Sequence, residues 1–191
     1  MAVAYGAGRQ ALLEAAVRVV ANEGLRGLTY RSVAAEAGVS HGSVRYHFGD
    51  WKSLVEAAVT FSVERSIAGS ALAVASDDFA ELADLLAPLV EADPDTQTFQ
   101  YELALESRRR PELLPIIERV YDTYRSAVRK TLQRNGIDDG ALAEVVFATL
   151  DGLVFQQTVF GDPRRTQSGV EVLRDLIAAH PRGSVPRNQA D

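Results

Sequence analysis

Leu28-Thr-Tyr-Arg-Ser-Val-Ala-Ala-Glu-Ala-Gly38-Val-Ser-His-Gly-Ser-Val-Arg-Tyr-His-Phe48-Gly-Asp-Trp-Lys-Ser-Leu54 is the stretch of this 191-residue chain on which the reading of the whole turns. Thr29 suits the N-cap of a short helix whose inward face is Val33, Ala34 and Ala37. Gly38 ends that helix, because glycine takes the left-handed conformation without steric cost. Val39 is then placed to fill the angle, and Ser40 to cap a second helix over about His41 to Phe48. Val44 and Phe48, four apart, point that helix's apolar side inward and leave His41, Gly42, Ser43, Arg45 and His47 outside.

A slim helix with short polar side chains at its start can enter the roughly 12 Å major groove, where base edges carry distinguishable patterns. Gly49 and Asp50 read as a stop and a further cap, with Lys52 beside the new helix's amides as a phosphate contact. By spacing alone the stretch fits an ordinary αα corner as well as a helix-turn-helix.

The segment resembles the DNA-binding domain of the TetR family of bacterial transcriptional regulators. The resemblance is carried by the run Arg9-Gln-Ala-Leu-Leu-Glu-Ala-Ala16, Gly24, Thr29, Val33-Ala34, Ala37-Gly38-Val39-Ser40, Gly42, and Tyr46-His47-Phe48 before Leu54. Two positions depart from the family's pattern: Arg45 stands where a phosphate-contacting tyrosine is usual, and Trp51 where a lysine is usual. The resemblance implies an all-α chain, with a three-helix helix-turn-helix domain followed by a helical ligand-binding and dimerisation domain. It implies a homodimer on a double-stranded DNA operator, a small-molecule effector, and repression more often than activation. The DNA-facing set is Thr29, Arg31, Ser40, His41, Gly42, Ser43, Arg45, Tyr46, His47 and Lys52. Arg31, His41 and Ser43 are directed to base edges, and Arg45 and His47 to phosphates.

Composition agrees with this class. The 47% hydrophobic content supplies a sizeable core, and the absence of cysteine excludes disulfides and thiolate metal sites and fits a reducing cytoplasm. His41 and His47 fall on opposite sides of one helix, so no metal is expected, and no cofactor. No uninterrupted apolar run reaches the roughly 18 residues of a membrane span. The net charge of −6 is uneven: residues 1–60 hold six Lys or Arg against five Asp or Glu, and the remainder fourteen against twenty-one. The first segment is therefore weakly basic, and DNA affinity should come from a few placed contacts and dimerisation rather than a broad positive field.

Along the chain, Met1 to Gly8 reads as a flexible arm. A first helix spans about Arg9 to Glu23, with Leu13, Ala16, Val17 and Val20 as its stripe and Gly24 as its stop. Residues 1–49 then form the DNA-binding domain, 50–71 a connecting helix, 72–181 the effector and dimerisation domain, and 182–191 a disordered tail. Ser76-Asp77-Asp78 marks a break before a stripe of Phe79, Leu82, Leu86 and Leu89, with Pro88 expected to end or bend that helix. Asp93-Pro94-Asp95 reads as a turn before a helix from Thr96 to about Arg109, and Arg110-Pro111 as the next boundary. The following helix, to about Asn135, carries Leu113, Ile117, Val120, Tyr124, Val128 and Leu132, and Gly136 ends it. The helix from Asp139 to Phe160 is apolar around most of its circumference and so needs cover on more than one side. Val146, Leu150 and Leu153, with Val170, Leu173 and Ile177 of the last helix, are the expected dimer interface.

Aromatic and polar residues interleave in the middle helices. Packing accounts for such residues, and so does a small-molecule site, which the resemblance implies between these helices. The candidates to line it are Phe99, Glu102, Tyr121, Tyr124 and Gln156. Two competing classes remain: an enzyme using Glu102 and Glu106 as an i, i+4 carboxylate pair, and a dimeric small-molecule-binding module without DNA recognition. The enzyme lacks a nucleophile–base pairing, a phosphate loop and a metal cluster in the sequence, and no catalytic residue is assigned.

Overall fold

The computed structural model describes residues 5–69 and 86–181, and all the regular structure among them is helical. The elements are α1 (Tyr5–Gly27), α2 (Tyr30–Glu36), α3 (His41–Phe48), α4 (Trp51–Gly69), α5 (Leu86–Ala92), α6 (Pro94–Glu106), a 3-10 turn (Pro111–Leu113), α7 (Leu114–Arg134), α8 (Gly140–Phe160) and α9 (Pro163–Ala178). The break at Ser76-Asp77-Asp78, the positions Phe79 and Leu82, the last two residues of the expected connector and the tail from Arg182 lie outside the described residues. So do Met1 to Ala4; the rest of the expected arm, Tyr5 to Gly8, belongs to α1.

Contacts divide the described residues into two compact units, one of residues up to 67 with 93–120 and the other of the remaining described residues. In the first unit α1 packs against both α2 and α6. The expected stripe Leu13, Ala16, Val17 and Val20 is buried, and so are Leu12, Ala15 and Val19. Both sides of the helix are therefore covered, with α2 and α6 packed on it. Gly24 interrupts α1 with φ 69° and ψ 175°, after which one helical turn resumes to Gly27.

Asp93 caps α6, accepting the Thr96 amide at 3.3 Å and the Thr96 hydroxyl at 2.7 Å, with Arg65 paired to its carboxylate. Pro94 therefore opens α6, two residues before the expected start, since a first-turn proline gives up no helical hydrogen bond. Pro88 does not end its helix: α5 runs on past it to Ala92.

The second unit is built on α8 and α9. Asp139 caps α8 by accepting the Ala141 and Leu142 amides at 2.8 and 3.0 Å. Gly136, at φ 78°, ends the preceding helix as expected, and the Ile137 amide returns to the Leu132 carbonyl at 3.0 Å. The core holds Val128, Leu132, Ile137, Ala143, Val146, Phe147, Leu150, Val170, Leu173 and Ile177. This core takes in most of the residues expected at the dimer interface. Val146, Leu150, Val170, Leu173 and Ile177 are buried within the chain, and Leu153 is packed against the same cluster. The larger apolar side chains left exposed are Val145, Phe155, Val159 and Phe160 on α8, and Val172 and Leu176 on α9. With apolar residues nearly all round α8, its sequence does not say which side faces inward. By length and mean hydropathy, 1.2, α8 would also suit a membrane span, but Glu144 and Asp151 interrupt it and one face is this core.

Candidate nucleic-acid interface

The reading element is assembled from caps and a tight turn. Thr29 caps α2, and Ser32 completes a capping box with it. At the far end Gly38 takes φ 66°, and the Val39 amide closes on the Ala34 carbonyl at 2.9 Å. That backbone bond makes the corner. Val39 is 43% exposed instead of filling the angle. Ser40 is the N-cap residue of α3, but its hydroxyl makes no cap bond; it pairs with the Ser43 hydroxyl at 3.0 Å.

On α3, Val44 and Phe48 are buried, while His41, Gly42, Arg45 and Tyr46 are exposed and Ser43 is half-buried. Tyr46 is 73% exposed. His47 is half-buried, its ring edge-on to Tyr46 at 5.3 Å and its Nε2 over Gly8. Arg9 lies 5.3 Å over the Phe48 ring, so the start of α1 braces the end of α3. An open concavity of about 680 Å³ is lined by Leu28, Thr29, Tyr30, Arg31, His41, Arg45, Gly49, Asp50 and Trp51. It brings four of the expected contacts, Thr29, Arg31, His41 and Arg45, to one surface.

Asp50 accepts the Ser53 amide at 2.8 Å, which holds its carboxyl below the usual carboxylate range and caps α4. Lys52 is 3.9 Å from Glu56 with a side chain 68% exposed, too loose a pairing to withhold it from a phosphate. Trp51 does not face outward as the family's lysine would. Its Nε1 donates to the Leu28 carbonyl at 3.0 Å, and the Arg110 guanidinium lies 5.3 Å over its ring. Tyr30 went unassigned in the sequence, although an aromatic residue opening a seven-residue helix is a signal that the helix needs outside support; its hydroxyl donates to the Gly49 carbonyl at 3.0 Å.

The expected ligand-lining residues fall in both units. In the first, Phe99 is wholly buried and Glu102 half-buried, its Oε2 close to Gly24. In the second, Gln156 is exposed, Tyr124 half-buried, and Tyr121 meets the Phe147 ring edge-on at 5.7 Å. Burial pushes the Tyr121 phenol up. Arg125 lies 5.7 Å over Tyr121 and 5.3 Å over Phe147, so these aromatic faces already hold a cation. Among the described residues no group of three or more His, Cys, Asp or Glu could hold a metal.

Two short helices about a glycine turn, one with its apolar side locked and its polar side open, define a helix-turn-helix DNA-binding protein. Residues 12–58 match the family model for bacterial regulatory proteins of the tetR family, and residues 77–179 match the tetracyclin repressor-like C-terminal domain. The chain belongs to the TetR family and is a ligand-responsive, DNA-binding transcriptional regulator. It is 26% identical over 183 residues to the HTH-type transcriptional regulator BetI of Rhizobium meliloti, covering 92% of this chain and 90% of BetI. It is also 26% identical to the nicotine-responsive transcriptional repressor HdnoR of Paenarthrobacter nicotinovorans, over 81% of this chain and 84% of HdnoR. The crystal structure of the multidrug binding protein EbrR with imidazole superposes with a TM-score of 0.65 at 33% identity, covering 92% of each chain. EbrR has also been crystallised with proflavin, a structure that matches at 30% identity, over 88% of this chain and 99% of that one, with a TM-score of 0.61.

Proposed function

We propose that this regulator is a cytoplasmic, homodimeric repressor that binds a near-palindromic operator, is released by a small molecule, and catalyses no reaction. The observation that carries the reading is α3 itself, whose buried Val44 and Phe48 leave His41, Gly42, Ser43 and Arg45 as a slim polar face. Residues 1–49 read DNA, the helix from Asp50 transmits, and the segment to 181 binds the effector and dimerises. The expected contacts Thr29, Arg31, Ser40, Tyr46, His47 and Lys52 surround that face, with Arg31 directed to base edges and His47 and Lys52, like Arg45, to phosphates.

The exposed apolar residues of α8 and α9 support a dimer that pairs these two helices with their copies. A nitrogen-bearing aromatic effector is supported by the Tyr121 and Phe147 faces that hold Arg125, and by the nicotine response of HdnoR and the proflavin complex of EbrR. Release requires that the effector bind the DNA-free arrangement more tightly, by a coupling of about 1–3 kcal/mol.

The experiment is selection of bound sequences from a random duplex pool with the purified full-length protein. A palindrome with fixed half-site spacing is the expected outcome, and that duplex then becomes the probe for release by proflavin and nicotine. Recovery of no motif would replace this reading with the binding module that has no DNA recognition.

A further inference from the structure

Two hydrogen bonds run in opposite senses between the start of α2 and the corner joining α3 to α4. Tyr30 of α2 donates its hydroxyl to Gly49, while Trp51 of α4 donates its Nε1–H to Leu28. Residues 28 and 30 flank the cap Thr29, and residues 49 and 51 flank the cap Asp50, so each aromatic side chain reaches across to the other's helix junction. Their remaining faces are also engaged. The Tyr30 ring lies 5.9 Å from that of His41 at an interplanar angle of 57°, and Arg110 covers Trp51. Arg110 is itself held at 3.3 Å by Glu106, whose side chain is 10% exposed.

We infer that Tyr30 and Trp51 form an aromatic clasp that sets the pitch of α3 in the major groove, making them positioning residues for sequence discrimination. This rests on the DNA-reading function proposed above. The helix has eight residues, about two turns, and its buried side consists of Val44 and Phe48. Two contacts along one stripe allow the helix to rock about that line, and the clasp fixes its C-terminal end through the Gly49 carbonyl. Burial, and after it the nearby Asp50 carboxylate, push the Tyr30 phenol up, so it stays a protonated donor through the neutral range. Base-edge hydrogen bonds demand close alignment, whereas flexible Arg and Lys side chains follow a displaced phosphate. Loosening α3 should therefore lower discrimination more than overall affinity. In this chain the position where the family usually has a lysine has become an internal brace.

The test uses full-length wild type, Tyr30→Phe, Trp51→Phe and the double variant. Each substitution removes one donor and keeps the ring. Affinity is measured across a salt series on the duplex selected by the wild type and on a scrambled duplex of equal length, alongside thermal unfolding. Each single variant is expected to lower the ratio of specific to nonspecific affinity by about three- to tenfold, and the double variant by more. Nonspecific affinity and the salt slope should not change. An unchanged ratio in the double variant would overturn the clasp. So would an equal loss on both duplexes with a shallower slope, since that marks phosphate contacts. If Trp51→Phe unfolds at the assay temperature, the ratio for Tyr30→Phe decides alone. A wild type that selects no motif removes the DNA-reading function and the clasp together, whereas a wild-type motif with unaffected variants removes only the clasp.

Discussion

Thr29 and Ser32 cap each other's backbone: Thr29 Oγ1 accepts the Ser32 amide at 3.0 Å, and Ser32 Oγ accepts the Thr29 amide at 2.9 Å. The Ser32 hydroxyl also lies 2.6 Å from the Gly27 carbonyl, where it can donate. One small side chain thus ties the end of α1 to the start of a seven-residue helix that has little intrinsic stability. Ser32→Ala is expected to cost about 1 kcal/mol. A urea midpoint shifted at constant slope would show it, and an unshifted midpoint would mean the box adds nothing to folding.

Arg45 is exposed at the rim of the concavity beside Arg31 and His41. As a phosphate contact it should act alike on all sequences. Arg45→Ala is expected to weaken binding to specific and scrambled duplexes by a similar factor and to reduce the salt slope by about 1. An unchanged slope would take Arg45 off the phosphate contacts.

Val159 and Val146 lie on the same helix, but one is 55% exposed and the other fully buried. Val159→Glu, alone or with Leu176→Glu, is expected to yield monomers in light scattering, because an isologous interface meets each new charge twice. Val146→Ala should instead lower unfolding stability by about 1–3 kcal/mol and leave the subunit number unchanged. Dimers persisting in the double glutamate variant would place the interface elsewhere.

The Leu142 amide, followed by that of Ala141, holds the Asp139 carboxyl below its ordinary value of 3.8, and His180 Nε2 lies 3.7 Å away. A depressed folded-state pKa stabilises above the unfolded value and is lost as pH falls through the folded one. Unfolding midpoints measured between about pH 6 and pH 3 should therefore fall less steeply below about pH 4 in Asp139→Asn than in wild type. Neutral-pH stability should change little, since asparagine also caps. Equal acid sensitivity in the two proteins would show that the cap does not titrate.

What the sequence by itself determined was the local grammar of the chain. Thr29, Asp50, Asp139, Gly38 and Gly136 start and stop helices through bonds to residues a few positions away, so their roles are legible without a fold. The bounds of α3 and the inward pair Val44 and Phe48 follow from the same short-range rules. The tertiary structure decided whatever depended on distant partners. The second face of α1 is buried by helices that pack on it from elsewhere in the chain, the inward side of α8 is set by the core it shares with α9, and Tyr30 and Trp51 find carbonyls 19 and 23 residues away. An apolar side chain carries the same transfer free energy whichever helix covers it, and an aromatic donor accepts any carbonyl within reach. Composition and spacing therefore state that such groups need cover, and only the packed chain states what covers them.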